Sequence, residues 1–260
     1  MKVIEAKMPA KLEETVEIEF FADLHIGSKK CNMELINERV ERVKNNDNVY
    51  CVLLGDIINN STKSSVGDVY DEPLSPMEQM KLACSLFEPI KHKILAITAG
   101  NHERRSYKGD GTDLTWFLAR QLGCEDKYDY AACVLCIKYG KAPKNTGYTT
   151  YTMYLTHGDG QGGMTMGAKA NGLQRRGHII DADIIVTGHT HQPLTFRNNS
   201  FKIVTTGTHP RVIAHEQVFV NLASTLNYEE YAELRGMQPS SVKNPVVVLA
   251  NGNKQIDVKL

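Results

Sequence analysis

Apolar runs recur along the chain at the spacing expected of strands in an α/β protein. The runs at 49–54, 94–99 and 184–186 are almost continuously apolar, which is typical of strands that are covered on both faces. The segment 16–22 alternates at first and then becomes apolar at Phe20-Phe21-Ala22. The same reasoning predicts further strands at 131–139, 148–155, 201–206 and 246–249.

Apolar residues three and four positions apart predict helices between these strands. A first helix begins after the N-cap Asn32, and its apolar stripe consists of Met33, Ile36, Val40 and Val43. The capping box Ser75-Pro76-Met77-Glu78 starts a second helix that runs to about Glu88. The segment 168–176 is also predicted to be helical.

A further helix is predicted after the capping pair Thr112-Asp113, and it ends at Gly123. Trp116 fits the apolar face of this helix, which favours core packing over a binding role. Helices and strands alternate in the first part of the chain, and consecutive strands dominate later. This order indicates an α/β sandwich with a pair of mixed sheets.

The composition is that of an ordinary folded protein. Hydrophobic residues make up 42% of the 260 residues and charged residues 23%, which argues against extensive disorder. Lys+Arg and Asp+Glu both total 30, so a surface that binds polyanions over its whole extent is not indicated, although a local basic patch is compatible. The length suits one large domain or two small ones, and we favour a single domain over residues 1–260.

The six cysteines are scattered and form no disulfide framework, which favours a reducing, cytoplasmic setting. Cys133 and Cys136 have the spacing of a zinc or redox motif, but they lie in a predicted strand, where the two thiols would face opposite sides. No run approaches the ~20 apolar residues of a bilayer span, and the charged N-terminal residues do not resemble a signal peptide. We therefore expect an intracellular protein without a membrane partner.

Polar side chains suited to metal binding follow five of the predicted strands. They are Asp23 and His25, Asp56, Asn101 and His102, His157, and finally His189 and His191. In the last pair, side chains two positions apart on an extended segment point the same way, so both rings can face one site. Because the loops at the carboxyl ends of strands gather in one crevice of an α/β sheet, we expect all these residues to converge.

This mixture of ligands indicates which ions the site would prefer. Imidazoles and carboxylates together suit first-row divalent ions, whereas Mg²⁺ and Ca²⁺ prefer oxygen shells. The candidates are too many for one tetrahedral ion, and two ions that share a carboxylate fit better. We expect Mn²⁺ first, with Fe, Zn or Ni as alternatives. The competing interpretation, unrelated polar residues at strand ends, is disfavoured by the regular recurrence of the pattern.

The same residues resemble, in order, the five motifs of the calcineurin-like metallophosphoesterases. The matching stretches are Asp23-Leu24-His25, Gly55-Asp56, Gly100-Asn101-His102-Glu103, His157-Gly158 and Gly188-His189-Thr190-His191. They span about two thirds of the chain, and the ordered set is far more specific than any single motif. The resemblance implies a four-layered α/β/β/α sandwich, in which two mixed β-sheets are flanked by helices and a dinuclear metal centre lies between the sheet edges.

The resemblance also implies roles for individual residues. Asp56 would bridge two ions, one held also by Asp23, His25 and His191, and the other held also by Asn101, His157 and His189. A hydroxide bound to this dinuclear centre would attack a phosphate ester. His102, which is not a ligand in the family pattern, would hydrogen-bond the phosphate and protonate the leaving oxygen. Its alternative role is to orient a ligand.

Basic residues near these motifs are candidates for substrate binding. Arg104 and Arg105 follow His102 directly, and a guanidinium matches phosphate geometry, although arginines after a loop are often only solvated. The inserted segment before the last motif contributes Lys169, Arg175 and Arg176. These either line a groove for a nucleotide or nucleic-acid backbone or form a solvated helix face. His209 follows a strand, but a loop histidine is more often incidental.

The second motif separates the candidate substrates. Ser/Thr protein phosphatases normally carry Gly-Asp-x-Val-Asp-Arg-Gly, whereas this chain reads Gly55-Asp56-Ile57-Ile58-Asn59-Asn60 and lacks that Asp and Arg, although its third motif looks phosphatase-like. The sequence therefore predicts a phosphodiesterase that acts on a nucleotide or nucleic acid. A phosphomonoesterase is the alternative. A non-catalytic interaction scaffold is disfavoured because the chain retains every expected ligand and His102.

Overall fold

Two β-sheets pack face to face and carry helices on their outer faces. The structure, a computed structural model, describes residues 1–9, 15–62, 65, 72–141, 147–159, 165–205, 209–228, 239–252 and 254–260. In this part of the chain each sheet has six strands. Short 3₁₀ helices at Glu88–Lys93 and Glu125–Lys127 complete the regular structure.

The order of elements follows the predicted change from alternating helices and strands to consecutive strands. The elements are β1 (Lys2–Lys7), β2 (Thr15–Phe21), α1 (Met33–Asn45), β3 (Val49–Leu54), α2 (Pro76–Phe87), β4 (Ile94–Thr98), α3 (Glu103–Asp110), α4 (Leu114–Gln121), β5 (Tyr128–Asp129), β6 (Ala132–Lys141), β7 (Tyr148–Thr156), α5 (Met166–Gly177), β8 (Ile184–Thr187), β9 (Leu194–Val204), β10 (Arg211–Asn221), β11 (Val246–Ala250) and β12 (Ile256–Lys259).

Both sheets mix parallel and antiparallel pairs. Sheet I has the strand order β12-β11-β2-β3-β4-β5, and its strands β2 to β5 are parallel to one another. Sheet II has the order β1-β6-β7-β8-β10-β9, in which β7, β8 and β10 are parallel neighbours. Parallel neighbours end at the same edge of a sheet, so loops that follow β2, β3, β4 and β5 lie side by side.

Three apolar cores separate the layers. Phe20 of β2 faces the core between the two sheets, whereas its neighbour Phe21 faces the core between sheet I and the helices α1, α2 and α4. On the other side of the molecule, Leu173 of α5 packs against Ile185 and Phe219 of sheet II. The layers are therefore α/β/β/α, which confirms the predicted fold class.

The predicted strands and helices are all present, and most of their ends agree to within about two residues. The exception is β9, which begins at Leu194 and not at the predicted Phe201, because the polar residues Arg197 to Ser200 of this edge strand hide its first half in the sequence. Residue 206, the predicted end of this strand, lies outside the described residues. The pattern does not predict β1, β5, β10, β12 or α3. The helix α3, Glu-Arg-Arg-Ser-Tyr-Lys-Gly-Asp, has no apolar stripe to reveal it. None of the described helices is long and apolar enough to cross a membrane.

Trp116 contradicts the prediction of core packing, since its side chain is 46% exposed. The helix α4 instead turns Leu114, Leu118 and Ala119 into the core beneath it. The guanidinium of Arg120 lies 5.9 Å from the indole centroid and covers part of the ring. The helical spacing of the apolar residues was read correctly, but the apolar face is narrower than the sequence suggested.

The cysteine pair lies on β6, as predicted. Cys133 belongs to the core between the sheets, whereas Cys136 is half-buried on the other face of the strand. All six cysteines are free thiols. The two thiols therefore face opposite sides of β6 and form no shared site.

Candidate metal centre

The carboxyl ends of five strands meet where an edge of sheet I adjoins an edge of sheet II. The residues found there are Asp23 and His25 after β2, Asp56 after β3, Asn101 and His102 after β4, His157 after β7, and His189 and His191 after β8. Contacts cross between the sheets, since the His189 backbone N–H donates to Asp23 Oδ2 at 2.9 Å. His157 Nδ1 likewise lies 2.8 Å from the carbonyl oxygen of Leu54.

Asp23, His25 and His191 form one group of side chains that could hold an ion. His191 Nε2 lies 3.1 Å from Asp23 Oδ1 and 3.3 Å from His25 Nε2. The three ligand atoms all lie within 4.8 Å of one another. Asp23 and His25 are buried, whereas His191 is half-buried, so this group is open to solvent on the side of His191.

Asp56, His157 and His189 form a second group with ligand atoms equally close together. His157 Nε2 lies 3.2 Å from Asp56 Oδ2 and 3.1 Å from Asn101 Oδ1. The same amide oxygen lies 2.7 Å from His189 Nδ1. Asn101 therefore presents its amide oxygen to the second group.

Asp56 lies between the two groups. It shares a third, overlapping group with His25 and His102, and its Oδ1 accepts a hydrogen bond of 2.9 Å from the His102 backbone N–H. The division of the side chains around Asp56 matches the two ligand sets that the family resemblance implies. The role of each side chain as a ligand stays a prediction.

The backbone of the site adopts a conformation that side chains rarely tolerate. Among the described residues, those other than glycine with positive φ are Asp23 (52°), His25 (50°), Asp56 (51°), Asn60 (42°), His189 (68°) and His191 (56°). All six lie at this site, and Asp, Asn and His are the residue types that best accept the left-handed region. Such strain persists only where the surrounding contacts impose it, and it marks functional sites.

Two glycines allow the loops to approach one another closely. A Cβ on Gly100 would lie 2.1 Å from Asp56 Oδ1 and 2.2 Å from the Asp56 backbone nitrogen. A Cβ on Gly188 would lie 2.6 Å from Asp23 Oδ2. Any side chain at Gly100 would clash with Asp56, and any side chain at Gly188 would clash with the Asp23 carboxylate. Only glycine therefore fits at these two positions.

Glu103 holds the loops after β3 and β4 together. Its buried carboxylate accepts hydrogen bonds from the backbone N–H groups of Asp56 at 3.0 Å, Ile57 at 2.7 Å, Ile58 at 3.1 Å and Gly100 at 2.9 Å. Burial, and then the charge of Asp56, raise the pKa of Glu103. The four amide donors offset part of this cost and fix the backbone of Asp56.

The two carboxylates of the site are held in their ionised form. Burial alone would raise the pKa of Asp56, but the adjacent imidazoles, His157 first, hold that pKa well below its ordinary value. Burial also opposes ionisation of Asp23, and His191 and His157 outweigh it, so the pKa of Asp23 is lowered. Both groups therefore offer charged oxygens, which divalent ions require.

Most of the imidazoles are held neutral. Burial, and then the proximity of His102, lower the pKa of His25 well below its ordinary value. Burial, and then His157, lower the pKa of His189. For His157 itself, burial lowers the pKa, but Asp56 and Asp23 outweigh burial and raise it to about 9. A positive charge is thus favoured between these carboxylates.

The hydrogen bonds of His157 show why a metal ion fits there. Its Nδ1 faces the Leu54 carbonyl oxygen and carries one proton. Its Nε2 faces Asp56 Oδ2 and Asn101 Oδ1, which are acceptors, so a cation is needed between these atoms. Without a metal the raised pKa supplies a second proton there, and a first-row divalent ion, which suits nitrogen and oxygen donors, would take its place. The residues present therefore fit the implied metal.

His102 lies beside these groups with its ring fixed from both sides. Its Nδ1 lies 2.6 Å from the Asn59 carbonyl oxygen, and its Nε2 lies 3.8 Å from Asp56 Oδ2. The ring packs edge to face against His25 with centroids 4.4 Å apart. Burial, and then Arg105, lower the pKa of His102, although Asp56 opposes them. The neutral ring therefore presents Nε2 to the centre.

The two arginines that follow His102 point in different directions. Arg105 Nη2 lies 2.9 Å from His102 Nε2, and Arg105 Nη1 donates to the Asn59 carbonyl oxygen at 3.2 Å. Arg104 instead donates to the Tyr130 carbonyl oxygen at 2.9 Å. Adjacent residues on a helix do not share a face, so only Arg105 contacts the His102 ring.

The other basic candidates lie farther from the ligand atoms. Lys169 Nζ lies 3.5 Å from the Thr190 carbonyl oxygen and so reaches the last motif. Arg176 pairs with Asp159 at 2.8 Å, and both Arg175 and His209 are exposed. Part of the inserted segment, residues 160–164, lies outside the described residues. Lys169 and Arg176 are thus the two of these candidates that the described contacts bring to the ligand loops, Lys169 at Thr190 and Arg176 at Asp159.

Sequence reasoning missed several residues that support the site. Glu103 is the last residue of the third motif, and we predicted no role for it. The feature that could have indicated its role is an acidic residue directly after Asn101 and His102. Asn60 donates to the His102 carbonyl oxygen at 2.7 Å. Asn221 donates to Thr190 Oγ1 and to the Gln192 carbonyl oxygen, both at 2.6 Å. Asn221 lies on a strand that was not predicted, so no local signal pointed to it.

The chain matches the model of a protein family described as calcineurin-like phosphoesterase over residues 18–193. This range contains all five motifs. No curated protein sequence matches the chain.

Solved structures give weaker likenesses over most of the chain. A predicted phosphoesterase from Streptococcus pneumoniae is 13% identical, covers 95% of this chain and 90% of its own, and has a TM-score of 0.41. Vacuolar protein sorting 29 from Cryptosporidium parvum is 13% identical, with coverage of 95% and 98% and a TM-score of 0.47. Nuclease MPE from Pseudomonas putida is 13% identical, with coverage of 92% and 85% and a TM-score of 0.34. At these values the likenesses carry no conclusion about substrate.

Asp56→Asn tests the sharing of one carboxylate by two ions. We expect the variant to retain fewer than one equivalent of metal. Asp56 lies between the two ligand groups, and a neutral amide at this position would lower the affinity of both groups for a metal ion. Elemental analysis after reconstitution with Mn²⁺ measures the metal content. The matched control is Asp257→Asn, which changes an exposed carboxylate of the edge strand β12 that pairs with Arg197. Two equivalents of metal in Asp56→Asn would contradict the shared ligand.

Glu103→Gln tests the contact that holds the Asp56 loop. We expect a loss of about 2–3 kcal/mol in the free energy of unfolding, because the amide replaces an acceptor by a donor that faces backbone N–H groups. Urea unfolding measures the loss. Glu41→Gln, an exposed carboxylate that pairs with Lys44, is the control and should leave the unfolding midpoint unchanged. A wild-type midpoint for Glu103→Gln would refute the role of Glu103.

Proposed function

The chain belongs to the calcineurin-like phosphoesterase family, and on that premise we propose that it hydrolyses a phosphodiester of a nucleotide or nucleic acid with two divalent metal ions. The observation that carries the proposal is the pair of ligand groups that meet at Asp56, with His102 beside them. Two bound ions would act as Lewis acids on the phosphate and lower the pKa of a water, which supplies the nucleophile.

The proposed ligand sets follow the two groups. Asp23, His25, Asp56 and His191 would hold one ion, and Asp56, Asn101, His157 and His189 would hold the other. Mn²⁺ is the first choice, and Fe, Zn or Ni are alternatives with the same preference for mixed nitrogen and oxygen ligands. Because each sheet supplies ligands to both sets, we propose that residues 1–260 form one phosphoesterase domain.

His102 is the proposed proton donor to the leaving oxygen. The Asn59 carbonyl oxygen holds the proton on Nδ1, which turns Nε2 toward the centre. A proton on Nε2 can then pass to the departing alkoxide, which is a poor leaving group without it. The alternative role, in which His102 only orients Asp56 through its backbone N–H, is supported by the 2.9 Å hydrogen bond to Oδ1.

Arg105 is the proposed substrate-binding arginine. Its Nη2 donates to the lone pair of His102 Nε2, and in that arrangement Nε2 cannot carry the proton that it would donate. A phosphate oxygen competes for the same guanidinium, and it is the stronger acceptor. Binding of the substrate would therefore draw Arg105 away and leave Nε2 free to be protonated. Arg104, in contrast, is held by carbonyl oxygens.

The residues that follow Asp56 favour a diester over a phosphoprotein. Where the Ser/Thr phosphatases carry Asp and Arg, this chain has the uncharged Asn59 and Asn60. The buried Asn60 side chain donates to the His102 carbonyl oxygen and to Ser106 Oγ, so it is held within the protein. A phosphomonoesterase remains the second candidate, because His102 and Arg105 would serve that reaction equally well. A scaffold without catalysis would have no use for strained, ionised ligands.

A substrate screen tests the proposed function. The Mn²⁺-reconstituted protein is assayed with bis-p-nitrophenyl phosphate, p-nitrophenyl phosphate, cyclic nucleotides, and single- and double-stranded DNA. We expect the diesters to be hydrolysed with the higher kcat/KM. Activity confined to the monoester would replace the proposal with a phosphomonoesterase. Complete inertness with two equivalents of metal bound would favour the scaffold.

His102→Ala tests the proton donor. We expect turnover of an alkyl ester, whose leaving group has a high pKa, to fall by about a hundredfold or more, and turnover of a nitrophenyl ester to fall much less. The metal content should stay at the wild-type value. The control is His209→Ala, which removes an exposed histidine from a loop. Equal losses with both leaving groups, or no loss with either, would remove His102 as the proton donor.

A further inference from the structure

One strand of sheet I ends beside the proposed metal centre without contributing a ligand. The strands β2, β3 and β4 deliver Asp23, Asp56 and Asn101, and β5 is the next parallel strand, paired with β4. Neighbouring strands lie about 4.8 Å apart, so the residue that follows β5 belongs to the same edge. That residue is Tyr130. In open α/β sheets, ligands bind in the crevice outside these strand ends.

The ring of Tyr130 forms a small aromatic surface with a residue of α3. Its centroid lies 5.0 Å from that of Tyr107, with the two planes inclined by 51°. Tyr107 is 49% exposed and Tyr130 is partly exposed. The helix α3 begins directly after His102, and its rise of about 1.5 Å per residue places Tyr107 roughly 6 Å along the helix from Glu103. Tyr107 thus lies a little more than one helical turn along α3 from Glu103, the first residue of the helix.

Arg104 fixes this surface. Its guanidinium lies 5.1 Å from the Tyr130 centroid and donates to the carbonyl oxygens of Tyr130 at 2.9 Å and Ala131 at 3.4 Å. Arg104 and Tyr107 lie on the same face of α3, since they are three residues apart. The Ala131 carbonyl oxygen also accepts from Thr156 Oγ1 at 3.3 Å, and Thr156 directly precedes the proposed ligand His157. The aromatic pair and the second ligand group therefore share one rigid support.

An aromatic surface with a cation beside it, next to a phosphate site, matches the chemistry of a nucleoside. Bases stack on tyrosine rings whatever their sequence, because every base has a π-face. Exposed tyrosines that only stabilised the fold would have no reason to lie at the edge where the substrate binds. We propose that Tyr107 and Tyr130, held by Arg104, form the stacking surface for a nucleobase of the substrate. The inference rests on the proposed function and specifies its substrate class.

Two diesters with the same leaving group isolate the contribution of the base. Thymidine 5′-(p-nitrophenyl phosphate) carries a nucleoside, and methyl p-nitrophenyl phosphate does not. For the Mn²⁺-loaded protein we expect Tyr107→Ala to lower the ratio of kcat/KM for the nucleoside ester to that for the methyl ester by about tenfold. Tyr107→Phe should keep the wild-type ratio, because the ring remains. Tyr130→Leu should lower the ratio as Tyr107→Ala does.

The control is Tyr148→Ala, which removes a tyrosine of similar exposure on β7 whose ring contacts Lys7. It should leave the ratio at the wild-type value. A ratio within twofold of wild type in both Tyr107→Ala and Tyr130→Leu would overturn the inference. So would equal losses with the two esters, which indicate structural damage. Hydrolysis of both esters by the wild type with equal kcat/KM would also overturn the inference, but it would not contradict the proposed function.

Binding gives a readout that does not depend on diester hydrolysis. Titration calorimetry of the same Mn²⁺-loaded proteins compares the affinity for thymidine 5′-phosphate with that for inorganic phosphate. We expect the wild type to prefer the nucleotide and Tyr107→Ala to lose about tenfold of that preference. Equal affinities in the wild type would overturn the inference. Failure to hydrolyse either diester, with the preference intact, would overturn only the proposed function.

Discussion

Four backbone amides from two loops donate to the buried carboxylate of Glu103, and the position of the centre follows from this contact. One of these amides belongs to Asp56, the carboxylate at which both ligand groups meet, and another belongs to Gly100, directly before Asn101. The same glutamate is the first residue of α3, so it also sets where that helix begins relative to His102. One buried charge thereby aligns two adjacent strand ends with the helix that carries Arg104 and Arg105.

The arrangement has two costs, which fall on the residues expected to act. Five of the predicted ligands have a left-handed backbone, and each such residue costs roughly 1–3 kcal/mol. Burial works against the ionisation of Asp23 and Asp56, and neighbouring imidazoles offset it. Bound cations would offset it further, because they lie among the same oxygens. The site is therefore built as a cation site, and its strain is absorbed by the packing of two sheets.

Some strands and helices could be predicted from the sequence, and others could not. Strands β3 and β4 are buried on both faces and read as continuous apolar runs, so their ends and the residues that follow were predicted. The outer half of β10, Arg211 to Ala214, is exposed, and its apolar residues do not alternate with polar ones. α3 packs mainly through Glu103, and its other side chains are solvated or paired. An element that packs through polar contacts has no regular spacing of apolar residues from which it could be predicted.

The sequence by itself determined which residues assemble and what chemistry they suit, because a buried strand and the polar residue after it are local features. It therefore predicted the convergence of Asp23, Asp56 and His189, the four layers and the family. Only the tertiary structure decided that Glu103 supports the centre, that Arg105 contacts His102 while Arg104 turns to Tyr130, and that Trp116 is exposed. The contacts of Glu103 with Asp56 and of Arg104 with Tyr130 join residues 47 and 26 positions apart. Local patterns cannot encode such contacts, because they arise only when the strands and their loops assemble.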